Sequence, residues 1–238
     1  MAEDIAPALL DKVQKNFRNR IKQTGATTAA YIKKARDGTL KSISGYTNKV
    51  GKALSRAFLD EITVEALPDG ILYYNIAQKV IVPPIKEAWV MVSDVADEMQ
   101  AVSNTAAGIG IKPIRPPIQK ERLDGLIELI INGDFAENIH HLNEPVRNIV
   151  DHFGDYHTEK NTEFLSNSGV DIYITRIAET TACEWCRERE GTYRGYDEAY
   201  ANQVFERHEG CRCEVSISNG KSSGKMRASG HGYARARQ

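Results

Sequence analysis

All four cysteines of the chain, and one of its six histidines, fall between residues 183 and 213 as Cys183-x2-Cys186, twenty-one residues, then His208-x2-Cys211-x-Cys213. A Cys-x2-Cys pair lets two thiolates meet one ion from a single tight turn, and tetrahedral Zn2+ is the natural partner of thiolates and imidazole. Five candidates compete for four positions. Cys183 and Cys186 form one chelating pair. The second is either His208 with Cys211, or Cys211 with Cys213 and His208 behind them, because residues two apart on a strand share a face. With four protein ligands, one such ion has no open position for a catalytic water and acts as a staple. The competing readings are reduced thiols without metal and disulfides formed outside the cell. A redox Cys-x2-Cys would need a thioredoxin-like βαβ pattern, which does not surround it.

The elements that must position these residues are short. VDIYITR alternates Val170, Ile172 and Ile174 against polar neighbours, and Cys213, Val215 and Ile217 alternate again, so two strands bracket the cysteine window. Upstream, Asn143-Glu144-Pro145 reads as a helix start with Asn143 as N-cap. Val146, Ile149, Val150 and Phe153 form its apolar face, and Gly169 is placed to close it in a left-handed turn. His140, His141, His152 and His157 read as surface or capping groups. An enzyme reading, a metal-dependent nuclease, would draw on His140, His141 or His208 with nearby acids. A third reading is a zinc-stabilised nucleic-acid-binding module.

The first half is helical. Leu10, Val13, Phe17 and Ile21 mark an amphipathic helix, and residues 26–61 a second basic stretch whose sparse apolar positions and glycines predict a loosely held helix. Pro68-Asp69-Gly70 reads as a turn. Pro83-Pro84 opens a helix striped by Val92, Val95, Met99 and Val102. Leu123, Leu126, Ile127 and Ile130 predict another, stopped by Gly133. The expected organisation is a basic helical region over 1–107, a Pro/Gly linker and domain boundary over 108–118, a helical plus small β domain over 119–218, and a disordered basic tail over 219–238. The fold class is therefore α+β, mostly helical, with a zinc-stapled C-terminal β module.

Net charge is −1, yet residues 1–58 hold twelve Lys and Arg against four acids, and the tail holds Lys221, Lys225, Arg227, Arg235 and Arg237 against none. Such ends suit packaged DNA or an acidic protein surface. A hydrophobic share of 41% with 26% charged residues is that of a soluble globular protein, and no apolar run reaches a bilayer span. Synthesis in a cytoplasm, where thiols stay reduced, favours metal over disulfide.

The run from GIGIKPIRPPI through LNEPVRNIVDHF and ACEWCREREGTY to VFERHEGCRCEV, roughly residues 108–218, resembles the C-terminal half of tailed-phage minor head proteins, the Mu F-like head morphogenesis family. That family commonly has proline after the histidine, where this chain has Glu209. The resemblance implies a non-enzymatic minor capsid protein, made in the host cytoplasm and carried in the head interior or at the portal vertex. Its expected partners are the portal protein, the major capsid protein or both, and its work would be head assembly and DNA packaging or ejection.

Overall fold

The computed structural model of the chain describes residues 4–208 and 210–219, and is mostly helical with a small three-stranded antiparallel sheet near its C-terminal end. Helix α1 (Ala6–Gln23) buries Ala6, Leu9, Val13, Phe17 and Ile21, so Leu9 takes the place expected for Leu10 in the apolar stripe. Helix α2 (Thr28–Arg36) starts where the Thr27 hydroxyl accepts the Ala30 N–H at 3.4 Å. Helix α3 (Ser44–Glu61) is not loosely held. It buries Tyr46, Val50, Leu54 and Phe58 together with Thr47, Gly51, Ala53, Ser55 and Ala57. Counting only large apolar residues missed this face, because small side chains serve it by letting neighbours come close.

Helix α4 (Tyr74–Ala106) runs through Pro83 and Pro84, which therefore lie inside it and do not open it. Each proline removes one backbone donor. Burial of Val80, Ile81, Pro84, Ile85 and Ala88 holds the helix on both sides of the break. Helices α5 (Lys120–Ile131) and α6 (Phe135–Asn138) lead to α7 (Glu144–Asn167). Asn143 stands at the cap position of α7 without capping it; its Oδ1 accepts the Ser55 hydroxyl at 3.0 Å instead. Gly169, at φ +79°, closes the other end as expected, with the Val170 N–H reaching the Leu165 carbonyl at 3.0 Å.

The 108–118 segment is irregular, yet the main core continues across it. One apolar core runs from Ala6 on α1 to Phe153 on α7, drawing Leu123, Leu126, Ile127 and Ile130 from beyond the segment. The Asn161 side chain grips the Ile114 backbone, donating to its carbonyl at 2.8 Å and accepting its N–H at 2.9 Å. Arg115 pairs with Asp94 at 2.7 Å and with Asp97. Closure of this core rests on a close approach of α3 to α7. A Cβ at Gly51 would stand 3.3 Å from the Arg147 Cα, and one at Gly154 only 2.8 Å from the Ile43 and Thr47 methyls.

Beyond α7 come β1 (Ile172–Ile177), α8 (Glu184–Arg187), β2 (Gly191–Arg194), α9 (Gly195–Ala201) and β3 (Glu214–Asn219), with strand order β2-β1-β3. The expected pair of strands is β1 and β3, where Ile174 faces Ile217; β2, too short to show alternation, makes the third. Leu165, Ile172, Ile174, Ala199, Val204, Phe205 and Val215 form a second, smaller core. Apart from Asn219, the basic tail expected over 219–238 lies outside the described residues. No helix among the described residues is long and apolar enough to cross a membrane.

Gly154→Ala is expected to lose about 1–3 kcal/mol through overpacking against Ile43 and Thr47. Gly125→Ala, on an exposed turn of α5 with open space around it, is expected to gain about 0.5–1 kcal/mol. Urea midpoints check both, and equal effects would remove the close approach as a constraint.

Candidate metal centre

Cys183 and Cys186 sit on one short helix. Cys183 occupies the cap position of α8 and Cys186 lies three residues on, so both sulfurs share one face. The opposing wall is the 206–213 loop, tightened by the Cys211 N–H reaching the His208 carbonyl at 3.1 Å and by Gly210 at φ +76°. His208 Nε2 lies 3.2 Å from the Cys183 sulfur and 3.1 Å from that of Cys186. The Cys186 and Cys211 sulfurs are 3.6 Å apart. Two groups of donors thus arise, Cys183 with Cys186 and His208, and Cys186 with Cys211 and Cys213, each within 4.8 Å and sharing Cys186. All five residues singled out by the spacing converge, and thiol and imidazole donors at such distances could hold a metal ion.

Cys186, Cys211 and Cys213 are buried, while Cys183 is exposed. Burial pushes the Cys186 thiol up to about 12, and hydrogen bonds with Cys213 and Cys211 add to the rise. Burial also raises Cys211. At Cys213 burial works the same way but is outweighed, chiefly by the Glu179 backbone and Cys186, and the thiol falls below its ordinary value. A metal taking these sulfurs as thiolates must displace protons, so its binding strengthens with rising pH.

Arginines, which the spacing argument did not weigh, surround the cluster. Arg207 and Arg212 flank the loop ligands and dock the loop on α7. Arg207 pairs with buried Asp155, while Arg212 reaches Asp151 at 3.1 Å and Glu144 at 2.5 Å. Asp151 also accepts the Thr47 hydroxyl at 2.7 Å, which ties the loop through α7 to α3. Arg176 on β1 donates to the Glu206 carbonyl at 2.8 Å and to the Val204 carbonyl, and its other terminal nitrogen lies 3.6 Å from the Cys211 sulfur and 3.8 Å from that of Cys186. Trp185 roofs the site, its ring under the Arg189 guanidinium at 3.8 Å and edge-on to His208 at 5.6 Å. The sequence did carry one signal for this. Arg176 continues the inward parity of Ile172 and Ile174, and a charged residue in that register calls for a partner inside.

The other described histidines are elsewhere. His140 contacts the Glu137 carbonyl at 2.6 Å and its ring lies 3.9 Å from that of His141, tilted by 44°, and neither joins a metal-holding group among the described residues. The expectation of surface or capping groups fails for His157 and His152. His157 is buried against α4, its Nε2 2.7 Å from Asp97 Oδ1, because the helix face that carries it turns inward where α4 crosses. His152 is half-buried and bonded to Gln119 at 2.8 Å.

Set against family models, curated proteins and solved structures, the chain has no match in sequence or in fold.

Burial first, and then the charge of Arg122, lower His152 from 6.5 to about 4. Between these values the unfolded chain takes up a proton that the folded chain refuses. Stability is therefore expected to fall as pH drops from about 6.5 to about 4, by up to about 3 kcal/mol from this residue. His152→Gln should show a shallower loss than the native chain in urea midpoints across that window. Parallel curves would assign the acid sensitivity to other groups.

Proposed function

We propose that the chain is a structural protein of a tailed-phage head, at the portal vertex or in the head interior, whose C-terminal module is stapled by one zinc ion. The observation that carries the staple is the convergence of Cys183, Cys186, His208, Cys211 and Cys213. Zn–S bonds of about 2.3 Å at tetrahedral angles put two sulfurs about 3.8 Å apart. The Cys186–Cys211 separation of 3.6 Å suits that geometry. Protein donors suffice to fill the ion, so it would brace the module without turning over a substrate. A core of seven buried apolar side chains is a marginal support for a β module, and a metal offsets that. The resemblance of the cysteine-window motifs to those of Mu F-like proteins supplies the phage assignment, and with it portal, capsid and packaged DNA as partners.

Charge distribution supports the DNA contact. Arg18, Arg20 and Arg36 pair with Glu87, Asp60 and Glu98. Lys12, Lys15 and Lys22 on α1, Lys33 and Lys34 on α2, and Lys49, Lys52 and Arg56 on α3 are exposed and have no such ion pair among the described residues, so they are available to phosphates. Binding to double-stranded DNA should then weaken steeply with salt.

One zinc per chain is expected by elemental analysis of the reduced protein. Cys186→Ser should lose the metal and open the region after α7 to protease while most of the helical circular dichroism remains, since structural zinc contributes on the order of 10 kcal/mol to its module. Metal-free native protein with unchanged protease resistance in the variant would reject the staple. For the head assignment, mass spectrometry of virions and proheads is expected to find the protein. Its absence from both, with infectious heads forming without the gene, would reject that reading.

A further inference from the structure

Arg176 is 1% exposed, and a guanidinium keeps its charge throughout the range of pH a protein meets. Removing such a charge from water is costly unless an opposite charge and hydrogen bonds replace the water. The other arginines around the module obey this rule: Arg147 pairs with Glu144, Arg189 with Glu188, Arg207 with Asp155, and Arg212 with Glu144 and Asp151. Arg176 has no carboxylate within ion-pair distance among the described residues. Two carbonyls take one of its terminal nitrogens, its Nε has no partner, and the other terminal nitrogen faces the sulfurs of Cys186 and Cys211. The Trp185 ring lies 5.5 Å from its carbon centre.

From this we infer that Arg176 is a positioning residue for the bound metal: its guanidinium is the counter-charge of the metal–thiolate group and orients Cys186 and Cys211 toward the ion. The inference rests on the metal reading and deepens it. A divalent ion held by three thiolates and one imidazole carries one net negative charge, which a single guanidinium balances. The Val204 and Glu206 carbonyls hold that cation at the base of the loop carrying His208 and Cys211. The site is thus organised before the ion arrives, and the arginine's own burial is compensated once it has.

The test is zinc affinity of the full chain by competition with a chromophoric chelator, together with the absorption spectrum of the cobalt-substituted protein. Arg176→Met is expected to raise the zinc Kd about 10–100-fold, the size typical of losing an outer partner of a metal ligand. Its cobalt–thiolate bands should shift in energy while circular dichroism stays native. Arg176→Lys, which keeps the charge, should recover part of the affinity. If Arg176→Met does not fold, Arg176→Gln replaces it with the same expectation. Equal affinity and superimposable cobalt spectra in native and uncharged variants would overturn the inference and leave the metal reading standing. A lysine variant as weak as the uncharged one would overturn it too. A native chain that takes up neither zinc nor cobalt would overturn both.

Discussion

The contact on which the rest depends is the close approach of α3 and α7, made where Gly51 meets Arg147 and Val150 and where Gly154 meets Ile43 and Thr47. With side chains at those positions the helices would stand apart, and Thr47 could not bond Asp151 across the gap. Because α7 is held there, it serves two structures at once. Val146, Ile149, Val150 and Phe153 belong to the large helical core, and Asp151 and Asp155 on the same helix receive Arg212 and Arg207 from the cysteine-bearing loop.

That arrangement makes the candidate metal centre part of the body. The loop between α9 and β3 contributes His208, Cys211 and Cys213, and its own arginines grip α7, so an ion gathering the thiols would also be tightening the grip. Buried ion pairs are poor net stabilisers, but breaking one leaves an uncompensated buried charge. Here Arg207 with Asp155, and Arg212 with Asp151 and Glu144, join the cysteine-bearing loop to α7. Asn161 has a comparable role further along α7, where it clasps the backbone of Ile114 and turns an irregular proline-rich segment into a strap.

The same logic explains the uneven charge along the chain. Basic α1 and α2 lie against the acidic side of α4, and Arg18 with Glu87 and Arg36 with Glu98 neutralise some of the charge on each. Each exposed pair contributes little by itself, because water and salt screen it. The remaining cations, Lys12, Lys15, Lys22, Lys33, Lys34, Lys49, Lys52 and Arg56, stay exposed on the outer faces of α1, α2 and α3.

Much of this molecule was legible in the chain. The helical stripes of α1, α5 and α7, the left-handed stop at Gly169, the strands β1 and β3 and the membership of the cysteine cluster all follow from local periodicity and spacing, which act within a few residues. What the sequence did not reveal depends on partners far along the chain. The burial of α3 depends on glycines and alanines whose value lies in what approaches them. The continuity of the core across residues 108–118, the passage of α4 through Pro83 and Pro84, the inward turn of His157 toward Asp97 and the third strand were likewise decided by packing. Cysteine spacing by itself determined what each half of the cluster offers, Cys183 and Cys186 from one short helix and His208, Cys211 and Cys213 from one loop, because neighbours that close in sequence stay close in space. Only the tertiary structure decided that Arg176, Arg207 and Arg212 would surround them, because a buried charge is placed by whatever group compensates it, and that group lies on another element.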